Sequence, residues 1–124
     1  MDTSTLFSLA GRTALVTGGS RGIGRMIAAG FVAQGARVYI SSRKPEQCTA
    51  VASELGPQCI ALAQDVATVA GCRALAAQYL AREPALDILV NNAGAAWGAP
   101  FESFPESGWD KVMDLNLKSP FFLT

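Results

Sequence analysis

The stretch Thr17-Gly18-Gly19-Ser20-Arg21-Gly22-Ile23-Gly24 has the residue spacing with the clearest chemical use. Glycines at 18, 22 and 24 clear side chains from a turn, so that backbone amides and the positive end of a helix macrodipole can meet a pyrophosphate. The flanks fit that use, because an apolar, strand-like run at 13–16 leads into the loop and a helix-like run at 23–34 leads out of it. The plainer alternative is a tight strand-to-helix crossover, which asks for the same glycines on backbone grounds alone.

About twenty positions further on, where the second strand of such a unit would meet an adenosine ribose, stand Tyr39-Ile40-Ser41-Ser42-Arg43-Lys44. No acidic residue waits there for a ribose 2'-hydroxyl. The hydroxyl of Ser42 and the guanidinium of Arg43 suit a phosphate ester, so the spacing favours NADP(H) over NAD(H), with Arg21 able to reach the same phosphate from the glycine loop. In the alternative reading, Arg43 and Lys44 only solvate the start of the next helix.

The sequence contains no histidine, which excludes histidine general bases, serine–histidine triads and the commonest zinc sites; no metal site is expected. Cys48, Cys59 and Cys72 lack CxxC spacing, and two of them fall on apolar helix stripes, so they read as core thiols. Of the 124 residues, 50% are hydrophobic and ten basic residues balance ten acidic ones, which suits a packed core and offers no field to attract nucleic acid or an anionic membrane. With no cationic start, no leader-like apolar segment and no apolar run of about eighteen residues, the expected location is the cytoplasm.

The elements that must position these residues follow from periodicity. Strands are expected at 13–16, 36–41, 59–64 and 86–91. Helices are expected from Ile23, with Ile27, Gly30 and Phe31 on one face, and from Pro45, where Cys48, Val51, Ala52 and Leu55 recur at helical spacing. A third runs from Thr68 to about Glu83, with Cys72, Leu75, Ala76, Tyr79 and Leu80 as its stripe. The unbroken Ile88-Leu89-Val90 predicts a strand buried on both faces. A loop is expected over 93–108, then a helix placing Trp109, Val112, Met113, Asn116 and Leu117 on related faces. Strands alternating with helices specify an α/β fold, a doubly wound parallel sheet of Rossmann type occupying 1–124 as one domain. The apolar end, Phe121-Phe122-Leu123-Thr124, has no cap signal and reads as a chain cut inside a helix, with its fourth strand left at a sheet edge.

TGGSRGIG, Gln64-Asp65-Val66, Asn91-Asn92-Ala93-Gly94 and Asn116 within DLNLKSPFF occur in order, and together they resemble the short-chain dehydrogenase/reductase family. The resemblance covers nearly the whole length and implies the cofactor-binding first half of a domain about twice as long. It implies that Gly18, Gly22 and Gly24 shape the pyrophosphate loop and that Ser20, Arg21 and Ile23 face the cofactor. Ser42 and Arg43 would choose between the two nicotinamide cofactors. Asp65 would bind the adenine amino group with Val66 beside it, and Asn92, Ala93 and Gly94 would follow the riboses. From the residues alone, the plainer alternatives are a helix N-terminal acid for Asp65 and a polar stop to a buried strand for Asn91-Asn92.

Asn116 matches the asparagine of the family's catalytic tetrad, whose proton relay ends at a water on that residue's main chain. Four residues later stands Pro120, which has no amide hydrogen for the Asn116 carbonyl, so a bent helix with an open carbonyl is expected there. The family's catalytic Tyr-x-x-x-Lys is absent: Arg43 follows Tyr39 and Glu83 follows Tyr79 at that spacing, and the catalytic serine's position lies past Thr124. The resemblance therefore implies an NADP(H)-dependent oxidoreductase interconverting a carbonyl and a secondary alcohol, inactive as this chain alone. It also implies a small-molecule substrate and a homodimer or homotetramer when full length. A non-catalytic dinucleotide-binding module or inactive truncated product is the alternative. The wording NNAGAAWGAPFESFPESGWDKVMDLNL most resembles bacterial 3-oxoacyl and 3-ketoacyl reductases of the rhamnolipid-pathway type, with sugar and polyol dehydrogenases still open.

Overall fold

The computed structural model of the chain describes residues 3–124. Strands β1 (Thr13–Thr17), β2 (Arg37–Ser41), β3 (Cys59–Ala61) and β4 (Ile88–Val90) alternate with helices α1 (Gly22–Ala33), α2 (Pro45–Leu55) and α3 (Val69–Leu80). The strands form one parallel sheet in the order β3-β2-β1-β4, with Val16 level with Ile40 on one side and Val90 on the other.

Side chains alternate across the two central strands, as a pleated backbone requires. Ala14, Val16, Val38 and Ile40 project into one core with Ala28 of α1 and Cys48 and Val51 of α2. Leu15 and Tyr39 project into the other, with Leu75 and Tyr79 of α3. Each large aliphatic side chain buried in this way stabilises the fold by roughly 1.5–3 kcal/mol. This is the expected doubly wound arrangement. The chain steps outward from β1 to β3 and then returns through α3 to β4 on the far side of β1, so the order reverses between β1 and β4. A crevice opens at such a reversal, at the carboxyl ends of the strands.

Three boundaries differ from the sequence expectation. β3 ends at Ala61, although the next residues still follow β2 through Leu62 N–H to Ile40 O and Gln64 N–H to Ser42 O, both 2.9 Å. β4 is only three residues long, and Ile88, Leu89 and Val90 are half-buried rather than buried on both faces. Its place at the end of the strand order explains this, since among the described residues β1 is its one ladder neighbour.

The third difference lies in the segment read as a loop up to Gly108. It contains a 3-10 turn at Phe101–Ser103, and helix α4 (Glu106–Met113) begins directly after Pro105. Gly108 is a buried helical residue: a methyl there would stand 2.7–2.8 Å from ring atoms of Trp97, so the glycine admits that ring rather than ending an element. Beyond α4 the backbone passes through a π turn, Asp114–Lys118, into α5 (Ser119–Leu123). The bend expected at Pro120 takes the form of this π turn, in which the Ser119 amide reaches back five residues to the Asp114 carbonyl. A one-residue slip before the proline lets the helix continue without requiring its missing amide.

Candidate functional site

A cleft of about 680 Å³ lies at the carboxyl ends of β1, β2 and β4, at the reversal of strand order. Its floor is the turn from β1 into α1. Gly18 and Gly22 adopt φ of +63° and +56°, a region that L side chains rarely enter. Gly24 stands under the loop, where a methyl would collide with the Gly18 carbonyl and the Asn92 amide nitrogen. Arg21, the residue before α1, supplies no side-chain cap, and the first turn holds no acid. The leading amides of α1 therefore meet the cleft with no side-chain acceptor, at the positive end of the helix dipole. Ile23 is exposed over this entrance.

One wall is the end of β2. Ser42 and Arg43 line the cleft with Lys44 and Gln47, and Arg21 faces them from the floor. Among the described residues neither Arg21 nor Arg43 is in an ion pair, so two guanidinium charges flank this end without a protein counter-charge. The next wall is Asp65 and Val66. Asp65 Oδ1 accepts the Ala67 amide at 2.9 Å, while the N-cap of α3 is Thr68, whose hydroxyl accepts the Gly71 amide at 3.0 Å. Capping of α3 thus falls to Thr68 and not to Asp65.

The third wall, Asn92-Ala93-Gly94, is held by a residue that the sequence reading passed over. The hydroxyl of buried Thr17 accepts the amides of both Asn92 and Ala93 at 3.0 Å, and Asn92 Nδ2 donates to the Gly18 carbonyl at 3.2 Å. These bonds tie the end of β4 to the glycine loop. A hydroxyl-bearing residue closing a buried strand directly before a glycine turn was the signal available for Thr17.

Every residue proposed for cofactor contact except Gly24 lines this one cleft. Asn116 does not line it either. Its side-chain amide bonds the backbone of Ala95 in both directions, Oδ1 accepting at 2.7 Å and Nδ2 donating at 2.9 Å. Lys111, Asp114 and Leu115, one to five residues earlier, do face the cleft. Their three- and four-residue spacing marks one helix face, beside the stripe of Trp109, Val112, Met113, Asn116 and Leu117 that the sequence reading followed. Lys111 also places its ammonium 5.7 Å from the centre of the Trp97 ring.

Both tyrosines lie away from the cleft. Tyr39 and Tyr79 pack edge to face at 5.0 Å, and their hydroxyls point toward Glu83, Ala85 and Thr13 at the amino-terminal end of β1. Burial raises both phenols, and that of Tyr39 is pushed up to about 12 with help from the carboxylate of Glu83. A phenol serving as a proton donor near neutrality needs the opposite shift. Burial likewise holds the thiols of Cys48 and Cys59 above their ordinary range.

The model of the short chain dehydrogenase family matches residues 12–124. The chain is 55% identical over 117 residues to the rhamnolipids biosynthesis 3-oxoacyl-[acyl-carrier-protein] reductase of Pseudomonas aeruginosa, covering 93% of this chain and 46% of the relative. It is 39% identical over 115 residues to the sorbitol dehydrogenase of Cereibacter sphaeroides, covering 93% and 45% respectively. Among solved structures, the Pseudomonas aeruginosa RhlG/NADP active-site complex superposes with a TM-score of 0.92 at 52% identity, over 99% of this chain and 48% of that one. The chain therefore spans about half the length of the curated relatives it matches.

Proposed function

The chain belongs to the short-chain dehydrogenase family, and from that premise we propose that its cleft binds NADP(H) and that the complete protein interconverts a carbonyl and a secondary alcohol. When bound, the nicotinamide would supply the hydride chemistry. The residues present here hold and orient it. The uncapped amides of α1 receive the pyrophosphate, Ser42, Arg43 and Arg21 receive the ribose phosphate, and Asp65 and Val66 take the adenine. Asn92, Ala93 and Gly94 follow the riboses, and Asn116 keeps that segment in place through Ala95.

The observation that carries the reading is the meeting, in one cleft, of a helix start without a side-chain cap and two guanidiniums that form no ion pair among the described residues. An enclosed floor of amides binds any pyrophosphate, whereas the flanking guanidiniums favour the dinucleotide bearing a third phosphate. A solved NADP complex of high similarity supports the same choice. Substrate class is read from the relatives: 3-oxoacyl thioesters lie nearer in identity than polyols. Within this reading the complete protein is a cytoplasmic homodimer or homotetramer acting on a small molecule and not on nucleic acid. Parallel titration of the complete protein with NADPH and NADH is the test. Tighter binding of NADPH, lost on Arg43→Ala, is expected. Tighter NADH binding overturns the phosphate assignment, and binding of neither overturns the whole reading.

A further inference from the structure

Two walls of the cleft belong to segments far apart in sequence: Asp65 and Val66 before α3, and Asp114 and Leu115 in the π turn. Cys72 is a buried side chain in contact with Val66 of the first segment and with Ser119, directly after the π turn of the second. The thiol of Cys72 donates to the Val66 carbonyl at 3.4 Å, and its sulfur stands 3.8 Å from both the carbonyl and the hydroxyl oxygens of Ser119. Ser119 is itself buried, and its amide bonds the Asp114 carbonyl across the π turn. A continuous path therefore runs from one wall to the other through Val66, Cys72, Ser119 and Asp114.

The neighbouring residue makes that path short. At Gly71 an added methyl would collide with the Asp65 carbonyl, so the first turn of α3 lies directly against the backbone that leads to the wall. Glycine brings the helix in, and the thiol beside it makes contact in both directions. A long C–S bond and a large, polarizable sulfur reach oxygens on two sides that a serine hydroxyl at the same position would not span.

We propose that Cys72, brought in by Gly71, is a positioning residue that fixes the Asp65–Val66 wall relative to the Asp114–Leu115 wall and so sets the fit of the adenosine end of the dinucleotide. This rests on the reading of the cleft as a dinucleotide site. It assigns Cys72 no contact with the ligand. Its influence passes through the two walls, and it falls on the adenosine half because Asp65 and Val66 serve that half.

The test uses two partial ligands on the complete protein, adenosine 2',5'-bisphosphate for one half of the cofactor and nicotinamide mononucleotide for the other. Cys72→Ala is expected to weaken the bisphosphate about fivefold or more and leave the mononucleotide unchanged, with Cys72→Ser in between. Cys59→Ala removes a buried thiol from β3, away from the cleft, and is expected to leave both affinities unchanged even where it lowers stability as much. Ser119→Ala approaches the same contact from the other side and stays informative if the Cys72 variants fold poorly. It too should weaken the bisphosphate selectively, less than additively with Cys72→Ala. Equal losses on both ligands, or in the Cys59 variant, would mean general loosening and overturn the proposal, as would bisphosphate binding within twofold of wild type in Cys72→Ala. Failure of the wild-type protein to bind NADPH and the bisphosphate would instead overturn the dinucleotide reading beneath it.

Discussion

The hydroxyl of Thr17 accepts the backbone amide of Asn92 at 3.0 Å, and the adjoining amide of Ala93 at the same distance, across the carboxyl ends of β1 and β4. Thr17 is only 2% exposed, so water cannot replace it there. Thr17→Val keeps the shape and removes the acceptor, leaving two amides unpaired at about 1–3 kcal/mol each. The expected outcome is a lowered denaturation midpoint and NADPH binding at least about tenfold weaker, while Thr17→Ser restores both. A valine variant that binds like wild type would show that the latch does not hold the site.

Two glycines on α1 should respond oppositely to the same methyl. At Gly24 it meets the Gly18 carbonyl and the Asn92 side chain, so Gly24→Ala has to displace the loop that forms the cleft floor. At Gly30, which is exposed, the methyl meets nothing within 4 Å. Gly30→Ala should therefore gain up to about 1 kcal/mol in helix stability with nucleotide binding intact. Gly24→Ala should lose NADPH binding by an order of magnitude or more. Parallel thermal melts and titrations separate the two.

At the opposite end of the sheet, Glu83 Oε1 accepts from Tyr39 at 2.7 Å and from Arg37 at 2.9 Å. The Tyr39 hydrogen bond first, and then Arg37, hold the carboxyl below its ordinary value, so its contribution to stability is complete above the usual carboxylate range and is lost as pH falls through the lowered value. Tyr39 behaves in the reverse sense. Its phenol is raised from 10.0 to about 12, so its contribution is present below 10.0 and fades as pH rises toward 12. Glu83→Gln should flatten the acid limb of a stability-versus-pH curve and Tyr39→Phe the alkaline limb. Neither should change NADPH affinity at neutral pH, because the cluster lies away from the cleft. A change in affinity would show that the two ends of the sheet are coupled.

Most of this architecture could be read in the sequence wherever one local rule acted alone. The apolar runs around Val16 and Ile40 and the helical stripe through Cys72, Leu75 and Tyr79 each imply their element and its buried face, and the glycines at 18 and 22 stand where φ is positive. The reading failed where a distant partner decides. Half-burial of Ile88, Leu89 and Val90 follows from the place of β4 at the end of the strand order; that edge was expected, but the apolar run of three was read by itself as buried on both faces. Gly108 resembles a helix breaker until Trp97, eleven positions earlier, is seen lying on it. For the site, residue types identified the cleft lining on three loops. Lys111, Asp114 and Leu115 were missed because the helix expected there was followed along Trp109, Val112, Met113, Asn116 and Leu117, and the face beside that stripe is the one that meets the cleft.

Asn116 and Pro120 offer the most direct test of how the π turn serves the cleft. The side-chain amide of Asn116 both donates to and accepts from Ala95, a cleft residue, so the pairing needs an amide rather than merely a polar group. In Asn116→Asp, a carboxylate oxygen would replace the donor 2.9 Å from the Ala95 carbonyl, setting acceptor against acceptor. Asn116→Ala only removes the two bonds at an exposed position, a loss of about 1 kcal/mol. The aspartate, although closer in shape, should therefore be the worse variant in both stability and NADPH affinity. Pro120→Ala supplies the amide whose absence the π turn accommodates, so the bonding of Asp114–Lys118 should move toward α-helical register and loosen the Ala95 clasp. Amide hydrogen exchange at 114–121, read alongside the NADPH titration, reports both effects. Unchanged exchange and unchanged affinity in Pro120→Ala would mean that packing against α3, rather than the proline, imposes the π turn.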